Sequence, residues 1–135
     1  MLGKRASRHY GSETLASIES VLTQKGQELG CDLVFFQSNH EGSIIDFIQK
    51  EASLSGGVLI NPGALTHYGY SLRDALVDAN LPVVEVHLSN IQAREDWRKR
   101  SVIADVAIKQ IAGLKVESYI VGLISLTEHI RSQSG

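Results

Sequence analysis

Val83-Val84-Glu85-Val86-His87-Leu88 is the stretch that decides how this chain folds. Pro82 precedes it and the polar pair Ser89-Asn90 closes it, so the run is too short for a helix and has the valine-rich composition of a strand buried on both faces. Period-2 geometry puts Glu85 and His87 on the same side of that strand, where a carboxylate can sit beside an imidazole. A charge in so apolar a strand needs a partner. Two readings of the pair stay open: a satisfied core pair, or a carboxylate-tuned general acid at the mouth of a sheet.

Toward the N-terminus, Leu72, Ala75, Leu76 and Ala79 recur at helical spacing. Before them Val58-Leu59-Ile60, closed by Asn61-Pro62-Gly63, predicts a second buried parallel strand. Ile44, Ile45, Phe47, Ile48 and Ala52 mark another helix, ended by Gly56-Gly57. Cys31 to Gln37 carries Leu33-Val34-Phe35-Phe36, which predicts a third buried strand. Leu15, Ile18, Leu22 and Leu29 form an amphipathic helix, with Ser12 as N-cap and Gly30 as stop. Gly3 to Ser12, rich in Gly, Ser and basic residues, reads as a loop. Toward the C-terminus come a polar segment, Ser89 to Arg100, and a weakly patterned apolar region around Val102 to Ile111. Tyr119, Ile120, Leu123, Ile124, Thr127 and Ile130 then predict a last helix. Helix and strand alternate with short linkers, so the expected fold class is three-layer α/β with a parallel sheet, in one domain over residues 1–135.

The 135 residues include 43% hydrophobic and 21% charged side chains, values that favour an ordered core. A net charge of -2 gives no whole-chain footprint for nucleic acid or an anionic membrane. The single cysteine, Cys31, can form neither an internal disulfide nor a CxxC pair. No apolar run reads as a signal peptide or a membrane span, and the cytoplasm is the expected location.

In open parallel sheets ligands bind beyond the carboxyl ends of the strands, so the residues after Ile60 and Val86 are the first candidates. Asn61-Pro62-Gly63-Ala64-Leu65-Thr66-His67 leaves one such end, although Asn, Pro and Gly also make an ordinary turn. Arg94-Glu95-Asp96-Trp97-Arg98-Lys99-Arg100 is a basic run of the kind that usually forms a solvated face, yet Arg suits fork-like hydrogen bonding of carboxylates. Arg5 and Tyr10 share the opening loop, and a guanidinium beside a phenol favours phenolate, which makes Tyr10 a candidate base. His67, His87 and Glu85 could instead bind metal, but they lack the spacing of zinc signatures such as HExxH. No GxSxG elbow and no nucleotide-binding glycine motif occurs.

Taken in order and spacing, Leu2-Gly3-Lys4-Arg5, Tyr10-Gly11, Phe36-Gln37-Ser38-Asn39-His40-Glu41-Gly42, Asn61-Pro62-Gly63-Ala64 with Thr66-His67, Leu72-Arg73-Asp74-Ala75, and Glu85-Val86-His87-Leu88-Ser89-Asn90 with Ala93-Arg94-Glu95 resemble the type II 3-dehydroquinate dehydratases. The likeness is close from Leu2 to about Arg98 and looser beyond. The resemblance implies a flavodoxin-like fold, no metal or organic cofactor, and a homo-oligomer, a dodecamer built as four trimers. It implies a shikimate-pathway lyase that dehydrates 3-dehydroquinate to 3-dehydroshikimate by anti elimination through an enolate. By position, Tyr10 would be the base and Arg5 its activating cation. His87 would be the acid, oriented by Glu85. Asn61 and the backbone N–H groups of Leu88 and Ser89 would hold the substrate carboxylate, and His67 and Arg98 its ring hydroxyls. Arg94 would support the cation cluster, and Asp74 would reach a neighbouring subunit's site. The family pattern also includes an opening strand and a Gly-Pro-Asn-Leu-Asn turn ahead of the residue matched by Leu2, so the expected sheet lacks its first strand. An Asn of that turn helps stabilise the enolate, so the rival expectation is a catalytically silent relative kept for binding or assembly. Ala6-Ser7 stands where Glu-Pro is usual, and Arg100-Ser101-Val102 where His-Ser-Tyr is common.

Overall fold

The computed structural model describes residues 15–63, 69–88 and 101–134. The sheet is built on β2 (Val83–His87), whose five residues are all buried. It pairs in parallel with β1 (Val58–Ile60) on one side and with β3 (Lys109–Ala112) on the other. The register sets Ile60 beside Glu85 and Glu85 beside Gln110, so one carboxylate sits at the centre of three strands.

Among the described residues four helices cover the two faces. α2 (Glu41–Glu51) and α3 (Tyr70–Ala79) pack together on one, where Ile48, Leu72 and Leu76 meet Val83 and Ile103. α1 (Leu15–Leu29) and α4 (Glu117–Ser134) lie on the other, where Leu126 meets Val84, Val86 and Ile111 and Leu123 meets Ile18 and Leu22. The alternation along β2 is therefore visible in its packing: Val83 points to the α2–α3 layer, and Val84 and Val86 to the α1–α4 layer. Glu85 and His87 follow Val83. α4 lies close against the sheet because Gly122 has no side chain: a Cβ there would come within 2.7 Å of Leu59 Cδ1 and 2.9 Å of Val86 Cγ2.

Helix ends follow local chemistry. α1 stops at Gly30, whose φ of 74° is open to glycine. Its N–H donates to the Gln27 carbonyl at 3.2 Å and the N–H of Cys31 to that of Gly26 at 2.8 Å, the paired bonds of a Schellman motif. Asn80 ends α3 at φ 53°, a left-handed position that Asn tolerates.

Three expectations need correction. Cys31 to Gln37 is not a buried strand: residues 31–38 join no ladder among the described residues, and Val34 is 65% and Phe36 47% exposed. Apolar composition alone does not make a strand, because the backbone needs a neighbour to bond. Between this segment and β1 lies a cavity of about 1580 Å³, lined by Ile18, Leu22, Leu33, Phe47, Leu59 and Leu126 among others. For the same reason β1 is half-buried along its length: the described sheet has its edge there. Finally, the weakly patterned region after Val102 contains a short 3-10 turn, Ala104–Val106, and the strand β3. β3 shows no clear period because Ile111 alone of its residues is buried.

Candidate active site

The carboxyl ends of β1 and β2 bring Asn61 and His87 to the same cavity. Glu85 is 0% and His87 5% exposed, and the two meet through His87 Nε2 and Glu85 Oε2. The expected pairing across one face of the strand is thus present. Ser101 donates from Oγ to both Glu85 oxygens, at 2.9 Å each, and Gln110 Nε2 donates to Oε2 at 3.2 Å. These are bonds to an acceptor, the arrangement in which a buried carboxylate is tolerated. Ser101 in turn accepts the backbone N–H groups of Ile103 at 3.2 Å and Ala104 at 3.0 Å.

Asn61 is held at both ends of its amide. Its Oδ1 accepts the Gly63 N–H at 3.2 Å, the local turn its sequence context predicts, while its Nδ2 donates to the Tyr119 hydroxyl at 3.0 Å. Leu88, which follows β2, is fixed through its carbonyl by the Lys115 N–H at 2.9 Å. Asp74 stands apart: it is exposed on α3, and no described contact ties it to His87 or Asn61. Its neighbour Arg73 pairs instead with Asp105 at 2.8 Å. That hydrogen bond, reinforced by opposite charge, holds the Asp105 carboxyl below its usual range and raises the Arg73 guanidinium. Arg5, Tyr10, His67, Ser89, Arg94 and Arg98 lie outside the described residues.

Ser101, Gln110 and Tyr119 had no assigned role in the sequence. Ser101 follows a basic run, Gln110 meets Glu85 only through strand pairing, and Tyr119 reaches Asn61 across 58 residues, so short-range spacing carries no signal for any of them. Among the described residues no group of three or more His, Cys, Asp or Glu side chains converges as a metal site would require. The arrangement supplies an imidazole seated on a buried carboxylate, with the Asn61 amide at the end of the neighbouring strand. That combination can protonate a leaving oxygen while binding an anion.

A family model described as Dehydroquinase class II matches residues 1–127. The 3-dehydroquinate dehydratase of Halothermothrix orenii is 48% identical over 134 residues, covering 99% of this chain and 90% of that protein. That of Bacillus subtilis is 52% identical over 118 residues, covering 87% and 80%. The crystal structure of the type II dehydroquinase from Butyrivibrio crossotus superposes with a TM-score of 0.84 at 38% identity, over 93% of this chain and 88% of that one.

Proposed function

The chain belongs to the class II dehydroquinase family, and from that membership we propose that it dehydrates 3-dehydroquinate to 3-dehydroshikimate, a lyase step of the shikimate pathway. The observation that carries the assignment to this site is the buried Glu85–His87 pair, whose imidazole lines the cavity. In the proposed reaction a base removes a proton α to the ketone, and an enolate forms. The C1 hydroxyl then takes a proton and leaves as water. His87 is the acid. Glu85 occupies Nε2, so proton delivery falls to Nδ1. Tyr10, activated by Arg5, is the base. Asn61 and the N–H groups of Leu88 and Ser89 hold the substrate carboxylate, His67 and Arg98 its ring hydroxyls, and Arg94 the cation cluster. The fixed amide of Asn61 supports its part: with Oδ1 bonded to its own turn and one Nδ2 hydrogen given to the Tyr119 hydroxyl, the amide has a second Nδ2 hydrogen to donate. The site requires no metal and no organic cofactor, and chelation is expected to leave turnover unchanged.

We further propose a dodecamer of four trimers located in the cytoplasm, in which Asp74 enters a neighbouring subunit's site. Tyr70, Asp74 and Val77 share one face of α3, and Tyr70 at 59% and Val77 at 49% exposure give that face the apolar surface a partner would cover. None of the described helices is long and apolar enough to cross a membrane. Relatives named 3-dehydroquinate dehydratase at 48% and 52% identity favour the lyase over a silent relative kept only for binding.

The test is His87→Ala. Turnover, followed by the conjugated-enone absorbance of 3-dehydroshikimate, is expected to fall by roughly 10²–10⁴-fold with the fold intact, the usual contribution of a general acid. A near-normal rate removes His87 from the mechanism.

A further inference from the structure

We propose that Ser101 is a positioning residue, which aims the Glu85 carboxylate and through it the His87 imidazole; the proposal rests on the reading of His87 as the acid. His87 and Gln110 both bond Oε2 of Glu85. A carboxylate held through one oxygen can still swing about that contact. The Ser101 hydroxyl is 2.9 Å from Oε1 and 2.9 Å from Oε2, so it ties the second oxygen as well and opposes that swing.

Ser101 is itself fixed, and by the backbone. Its Oγ accepts two N–H groups, from Ile103 and Ala104. With those acceptor positions filled, the hydroxyl hydrogen is committed to Glu85. Ile103 is 0% exposed and packs among Leu72, Leu76 and Val83, so the serine is anchored to the core of the α2–α3 layer. A rigid path therefore runs from packed core to Ile103, Ser101, Glu85 and His87. A side chain aimed this way matters most where the imidazole must meet a developing charge, so its removal should act on kcat and leave substrate binding largely alone.

The experiment measures kcat and KM for Ser101→Ala and Ser101→Thr, each alone and combined with Glu85→Gln, beside His87→Ala and with thermal unfolding of every variant. Ser101→Ala is expected to lower kcat by about 10–100-fold, the range typical for partners that orient a functional imidazole, with KM within about twofold. Ser101→Thr keeps the hydroxyl and should recover most of that loss. In the Glu85→Gln background Ser101→Ala should cost little more, because a residue acting through Glu85 is not additive with its loss. A purely structural serine would give multiplicative effects, or a loss confined to the melting temperature, and either result overturns the proposal. So does Ser101→Ala at full rate while His87→Ala is inactive, which leaves the acid assignment standing. An active His87→Ala sinks both. Should Ser101→Ala not fold, Ser101→Cys, which has a weaker donor and acceptor in nearly the same volume, carries the same comparison.

Discussion

Residues 83–87 and residues 33–36 are both short apolar runs, and only the first is a strand. Val83 to His87 has β1 and β3 on its two sides and helices over both faces, and its most exposed member is His87 at 5%. Leu33-Val34-Phe35-Phe36 has the stronger aromatic content, yet it lies extended beside an open cleft, with Phe36 stacked on Phe47 at 4.5 Å between ring centroids. The difference lies in the neighbours. Strand propensity describes fit to a pleated, half-buried surface, and where no adjacent backbone offers that surface the same residues remain a ribbon.

The largest effect should come from a charge, which should separate the two runs. Val86→Asp buries an unpaired carboxylate between Leu126 and Ile111 and should cost at least about 3 kcal/mol in denaturant unfolding, against about 0.5 kcal/mol or less for Val34→Asp. Equal costs would place residue 34 inside the sheet after all. Gly122→Val should cost about 1–3 kcal/mol, since its side chain would enter space held by Leu59 and Val86. An unchanged unfolding midpoint would show that α4 can lift from the strands.

The smallest effect concerns the exposed Arg73–Asp105 pair. The Asp105 carboxyl is lowered in the folded state, so the pair's contribution is present above the unfolded carboxylate value, about 3.9, and fades as pH falls through the folded one. Melting temperatures of the parent and Asp105→Asn should therefore differ slightly at neutral pH and converge below about pH 4. A gap that persists at pH 2 would show that something other than charge is lost.

The sequence made β2 legible because valines bounded by Pro82 admit few alternatives, and period 2 then put Glu85 beside His87 without any knowledge of the fold. The same procedure misread residues 31–37 because strand pairing is non-local, and a window of seven residues carries no information about who stands next to it. It missed β3 for a related reason. Gln110 is polar and half-buried because it faces Glu85 across the sheet, so the residue that completes the carboxylate's shell is also the one that blurs the apolar pattern. Asn61 was found as a turn former, but its Tyr119 partner lies on the last helix, where the tyrosine reads simply as part of an apolar stripe.

The Schellman turn at Gly30 bears on how a strand entering the cleft would be received. Its two hydrogen bonds lie within residues 26–31, so they can close before any sheet exists, and they already point residues 31–38 along the cleft. Arg131 adds a tie from α4 to the Leu29 carbonyl at the same corner. An incoming strand therefore meets a partner whose direction is settled. What association must overcome is mainly the ordering of the newcomer itself, at roughly 1–2 kcal/mol per residue, rather than the ordering of two loose chains at once. In entropic terms the open edge is a half-built docking rail, set by one glycine with a positive φ.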